Sequence, residues 1–118
     1  MADTRATLIE SITLTFDANG NATGSLAPNK PFERWEINRY TTFSTSVGCI
    51  INIFKTFISV STFLDGTLKG ENDAGGIQIS LHTSENVWVQ ASGGVPSQTV
   101  MVTFYGTKIF TGDRGYQR

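Results

Sequence analysis

The stretch that decides the fold is Phe32–Ser44, FERWEINRYTTFS, which follows a Pro-Asn-Lys-Pro break. Large apolar and polar residues alternate along it. Trp35, Ile37, Thr41 and Phe43 fall on one face, and Arg34, Glu36, Asn38 and Tyr40 on the other, with Arg39 interrupting the apolar face once. A period of two sustained over this length predicts a strand with one buried side. Trp35 brings the largest apolar area to it, so neighbouring strands are expected to pack around that residue.

The rest of the chain repeats the theme. Ile12, Leu14 and Phe16 alternate with Ser11, Thr13 and Thr15 in a strand over Leu8–Phe16. Asp17-Ala18-Asn19-Gly20-Asn21 is a strong turn signal, because Asn and Gly both tolerate positive φ. A hairpin returning through Ala22–Leu26 is expected. Cys49–Phe54 is apolar on both faces apart from Asn52, as suits a central strand. Phe57–Leu64 gives another strand, ended by an Asp65-Gly66 turn, and Glu71–Gly76 reads as a polar loop. Strands over Ile77–Leu81, Asn86–Ala91 and Gln98–Tyr105 complete the set. About eight strands at this spacing predict an all-β fold, an antiparallel β-sandwich of the jelly-roll kind, with an immunoglobulin-like topology as the alternative. The expected organisation is an N-terminal arm (1–7), a β-sandwich domain (8–106) and a basic C-terminal tail (107–118), in which only Ile109 and Phe110 look able to dock.

Composition narrows the function. A chain of 118 residues makes one domain. With 9 Lys and Arg against 10 Asp and Glu, the net charge of −1 gives no charge excess to recruit nucleic acid or an anionic membrane. The single cysteine, Cys49, excludes an internal disulfide and reads as a buried thiol at the start of an apolar strand. The N-terminus carries no long apolar run of a secretory signal, and Val47–Leu64 is broken by Asn52, Lys55 and hydroxyls, so a membrane span is not expected. His82 stands alone and reads as a turn or solvent-facing residue; zinc and triad chemistry lack their usual second histidine or partners. Asp17-x-Asn19-x-Asn21 matches the opening of a calcium loop but lacks its later ligands, so the hairpin turn explains it better. Asn21-Ala22-Thr23 is a sequon that matters only in a secretory pathway. Neither a cofactor nor a metal is expected, and no catalytic residues are assigned. The candidate surface residues are Trp88, Tyr40 and Tyr105, whose rings would suit a protein interface or, as the lesser reading, a sugar platform.

The chain also resembles a family of small β-sandwich virion proteins encoded by tailed phages of actinobacteria. The likeness runs from about Ile12 to Gly106. It rests on ITLTFDANGNATGSLAP, on PFERWEI after a proline turn, on LDGTLKGEND, and on VWVQASGGVPSQTVMVTFYG, with its strand, Gly-Gly loop and closing strand. Phe32 stands where the family has glycine before Glu33, and the segment from Thr107 is an extension. The resemblance implies a non-enzymatic structural protein displayed on the virion and made in the host cytoplasm. Its implied role is capsid decoration on the major capsid protein, or else a minor tail component; the alternative, a carbohydrate-binding or host-adhesion module, rests on the rings of Trp88, Tyr40 and Tyr105. A homo-oligomer is expected, a trimer first.

Overall fold

The computed structural model describes residues 4–28, 32–44, 49–55, 63–67, 72–82 and 85–110. Eight strands are seen: β1 (Thr4–Thr15), β2 (Ala22–Leu26), β3 (Glu33–Ser44), β4 (Ile50–Lys55), β5 (Phe63–Thr67), β6 (Asn72–Leu81), β7 (Val87–Ser92) and β8 (Thr99–Phe110). They form two antiparallel sheets, a long one ordered β1-β8-β3-β6 and a short one ordered β2-β7-β4-β5. The first strand pairs with the last, the second with the next-to-last, and so on inward, and β3–β8 and β4–β7 ladders close the roll. This is a jelly roll, an antiparallel ribbon wound into two packed sheets. The immunoglobulin-like alternative is set aside by this order.

The core lies where inner faces meet: Leu14, Ile37, Tyr40, Ile51, Ile53, Leu81, Val87, Val89, Val100, Val102 and Phe104 are all buried. Trp35 is 3% exposed and donates its indole N–H to the buried carboxylate of Glu33. That bond meets the hydrogen-bonding need of the one polar atom such a ring brings inside.

Four expectations from the sequence are corrected. First, β1 and β2 are not a hairpin. The turn is there: Asp17 Oδ1 accepts the N–H groups of Asn19 and Asn21 at 2.8 and 3.0 Å, and Gly20 has φ 78°. It carries the chain across the core instead of back along the same sheet, and β2 crosses opposite β1. A Cβ on Gly24 would stand 2.6 Å from Leu14 Cδ2 and 2.7 Å from Ile12 Cδ1. Local turn chemistry specifies the reversal, whereas long-range pairing chooses the sheet.

Second, the alternation of β3 changes phase. Asn38 and Arg39 are both exposed, and the register to β6 and β8 shifts between Ile37 and Arg39. One extra residue in a strand turns everything beyond it to the opposite face. Trp35 and Ile37 are buried as expected, but beyond the bulge Tyr40, Thr42 and Ser44 are buried while Phe43 is 55% exposed.

Third, two segments read as turn and loop are strand. Asp65 and Gly66 pair with Ile53 and Asn52 beside a register shift in the β4–β5 ladder, a place where glycine is at home. Asn72–Gly76 pairs along Arg39–Phe43 of β3. Fourth, part of each expected terminal segment is sheet. Thr4–Thr7 pairs with Thr107–Phe110, and Glu33–Glu36 holds the other edge of that segment, because β1 and β3 both extend far enough to bracket β8. Ile109 is buried there. The strand expected over Phe57–Leu64 falls, up to residue 62, outside the described residues.

Between β6 and β7, His82 donates its backbone N–H to Glu85 Oε1 at 2.9 Å, and Lys55 Nζ lies 3.6 Å from Glu85 Oε2. That backbone bond, aided by the Lys55 charge, holds the Glu85 carboxyl below its ordinary value of 4.5. A depressed carboxyl stabilises the fold above its unfolded value and loses the contribution as pH falls through the folded one. Glu85→Gln should therefore cost about 0.5 kcal/mol or less at neutral pH, given the partial exposure. In urea titrations the variant and parent should converge once the pH falls well below 4.5.

Candidate functional site

The long sheet has a distinctive outer face. Register places Thr13, Met101 and Phe43 in one row across β1, β8 and β3, Ser11, Thr103 and Thr41 in the next, and Ile9, Tyr105 and Arg39 in a third. The outer rows are large and exposed: Ile9 60%, Phe43 55% and Met101 41%. The middle row is a floor of hydroxyls, with Ser11 Oγ and Thr103 Oγ1 2.8 Å apart and Tyr105 Oη 3.3 Å from Thr41 Oγ1. Arg39 carries the sole charge in these three rows, and its guanidinium lies 4.3 Å from the centre of the Tyr105 ring. The face exists because β1 and β8 run without a break and because the β3 bulge turns Phe43 outward. Residue spacing alone conceals it: Phe43 reads as core unless the doublet Asn38-Arg39 is recognised as a bulge.

Beside the bulge lies a second feature, a polar groove of about 280 Å³ lined by Glu36, Asn38, Gln78, Ser80 and Thr107 over Ile37 and Ile79. Glu36 Oε2 accepts the Ser80 hydroxyl at 2.6 Å and stands 3.1 Å from Arg34 Nε.

The three aromatic candidates do not form one platform. Tyr40 is 1% exposed, its ring centre 6.2 Å from that of Phe104 in the core. Tyr105 belongs to the outer face of the long sheet. Trp88 is half-buried on the outer face of the short sheet, next to Ser25 and Phe54 in register, on the opposite side of the sandwich. The phase change in β3 removes Tyr40, and the division of β7 and β8 between two sheets separates the other two. Cys49 is fully buried. Among the described residues no group of three or more His, Cys, Asp or Glu side chains is placed to hold a metal ion. Glu71 lies outside the described residues.

The architecture defines the class: an antiparallel jelly-roll sandwich, with eight strands among the described residues. No protein-family model matches the chain, and no characterised protein sequence does either. Solved structures do. A protein of the Bacillus endospore appendages, a family of disulfide-linked pili, is 15% identical with a TM-score of 0.53, over 96% of this chain and 93% of that one. A chain of infectious bursal disease virus, Gx strain, is 12% identical with a TM-score of 0.43, over 95% of this chain and 33% of that one. A family 35 carbohydrate-binding module from Clostridium thermocellum is 14% identical with a TM-score of 0.38, over 95% of this chain and all 100% of the module. At these identities the likeness is one of fold.

Proposed function

We propose that the chain is a non-enzymatic structural protein displayed on the outside of a tailed phage particle, a decoration protein that seats the outer face of its long sheet on the major capsid protein. The observation that carries this reading is the face itself. Its exposed Ile9, Met101 and Phe43 flank a hydroxyl floor with a single charge, Arg39. Interface cores are depleted in charge and enriched in aromatics and Met, and large exposed apolar patches mark protein contacts. The phage context comes from the sequence resemblance over Ile12–Gly106.

The test is co-sedimentation with empty shells of the encoding phage from which this chain has been omitted. The parent protein should bind. Phe43→Glu with Met101→Glu should weaken binding by roughly a hundredfold or more, since each change sets an unpaired charge in a desolvated contact. The melting temperature should fall by only a few degrees, about what two facing carboxylates on one strand pair cost, because both side chains are exposed. A parent that does not bind, or a double variant that binds as well, contradicts the proposal.

One observation favours a second reading, a tail or host-adhesion module that takes carbohydrate. The groove beside the bulge offers a carboxylate, two amides and two hydroxyls, a lining suited to neutral sugar hydroxyls. On this reading, glycan-array binding is lost in Gln78→Ala and kept in Trp88→Ala. An array without any binding removes it.

A further inference from the structure

We infer that β1 pairs with β1 of a second copy of this chain, antiparallel and about a two-fold axis at Ile9. The two sheets have four edge strands: β1 and β6, β2 and β5. Proteins blunt such edges by shortness, bulges, proline or lysine, since an exposed row of backbone donors and acceptors invites another strand. Three of the four are blunted. β2 and β5 are 5 residues each, and the ladder that holds β6 is broken by the bulge at Ile37/Arg39. β1 is 12 residues long, holds an unbroken register with β8, and contains neither Pro nor Lys. Among the described residues no strand pairs with its outer edge. With one addition-competent edge among the described residues, self-pairing closes as an isologous dimer and goes no further.

The sequence of β1 selects the register. A two-fold axis normal to the sheet keeps both outer faces on one side and must fall on a residue. Placed at Glu10, it would set two carboxylates against each other. Placed at Leu8, it would leave Thr13 and Leu14 unpaired. At Ile9, every residue from Thr4 to Leu14 finds a partner, Arg5 meets Thr13, and Glu10 meets Leu8 while keeping its own Lys108 at 2.6 Å. Ile9, at 60% the most exposed large apolar side chain described, then packs on its own copy.

The second layer fits as well. Gly24 of β2 lies against Ile12 and Leu14, so the short sheet covers that half of β1 and leaves Thr4–Ala6 uncovered. In the pair, Ala6 and Thr4 face Ile12 and Leu14 of the other copy. Each β2 therefore comes beside the half of the other β1 that lacks a second layer. A two-fold pair departs from the trimer expected from the sequence. It shares Ile9 with the outer face but leaves the rows of Phe43 and Met101, whose variants test capsid docking, untouched, so the Phe43/Met101 variants and the cross-linking register below tell the two readings apart.

Sedimentation equilibrium on the full chain should show a reversible dimer. Ile9→Lys, at an exposed site that leaves the fold intact by circular dichroism, should raise the dissociation constant by roughly a hundredfold through lost burial and facing charges. Register is read by oxidation: Ile9→Cys should cross-link with itself. Thr7→Cys should cross-link only when mixed with Ser11→Cys, as directly opposed Cβ atoms lie about 5 Å apart. A monomer at every concentration, a trimer or open polymer, or a dimer indifferent to Ile9→Lys overturns the inference. So does a chain that is monomeric alone and gains protection of the β1 amides only with a shell protein, which would make the added strand another protein's.

Discussion

Replacing Gly106 by Ala should destabilise the protein by about 3 kcal/mol, seen as a lowered urea midpoint and a melting temperature roughly 10–20 °C lower. The site lies where β8 passes the β3 bulge, with Leu8 and Ile37 opposite it in register. A Cβ there would stand 1.9 Å from the carbonyl oxygen of Glu36, 2.9 Å from its carbonyl carbon and 3.0 Å from Ile37 Cα. All three are backbone atoms of a strand held on both edges, by β6 and by β8. Relief therefore requires two ladders to shift together. Gly24→Ala is the control, because its Cβ would meet only the side-chain ends of Leu14 and Ile12, which can rotate aside. It should cost about 1 kcal/mol. Equal stability of Gly106→Ala and the parent would contradict the close passage of β8 at the bulge.

The second large effect separates two residues that the sequence pattern places the wrong way round. Tyr40→Ala should cost about 3–5 kcal/mol, as expected for emptying an aromatic site in a core. Its ring is 1% exposed and packs on Phe104 at 6.2 Å. Phe43→Ala should change stability by no more than about 0.5 kcal/mol, its side chain being 55% exposed. An uninterrupted alternation from Trp35 would demand the reverse, with Phe43 in the core and Tyr40 outside. Chemical denaturation of the two single variants thus reads the bulge directly. A costly Phe43→Ala beside a neutral Tyr40→Ala would move the phase change out of β3 and dissolve the outer-face site with it.

These two residues also show how far the sequence can be read. Strands were legible wherever one ladder held a constant phase. In β7, Val87, Val89 and Ala91 are buried and Trp88 and Gln90 are not, as alternation requires. In β8, Val100, Val102 and Phe104 face in while Met101 and Tyr105 face out. The jelly-roll class followed from the number and spacing of such segments. What failed had a common cause, namely that glycine and Asx residues carry local signals that pairing can override. Asp65-Gly66 reads as a turn but is held in strand by β4, and Gly106 reads as a strand end but lets β8 slip past the bulge and run on to Phe110. The candidate site was half legible. Tyr105 reads as exposed from its sequence position and lies on the charge-poor face, whereas nothing local in the sequence singles out Phe43, Met101 and Ile9 as its neighbours. Phe43 needed the bulge. Ile9 and Met101 alternate as outward residues, and only the pairing of β1 with β8, distant in sequence, brings them onto one surface.

The proposed decoration role requires the outer face of the long sheet to meet the particle, and photo-cross-linking on assembled shells tests that most directly. A benzophenone side chain would be placed at Phe43, and separately at Trp88, in the otherwise unaltered chain bound to the phage shells that the proposed function assigns to it. Cross-linking of the Phe43 position to the major capsid protein, with the Trp88 position silent, is the predicted result. Cross-linking from Trp88 while Phe43 stays silent would show that the short sheet faces the shell and would contradict the proposed docking face.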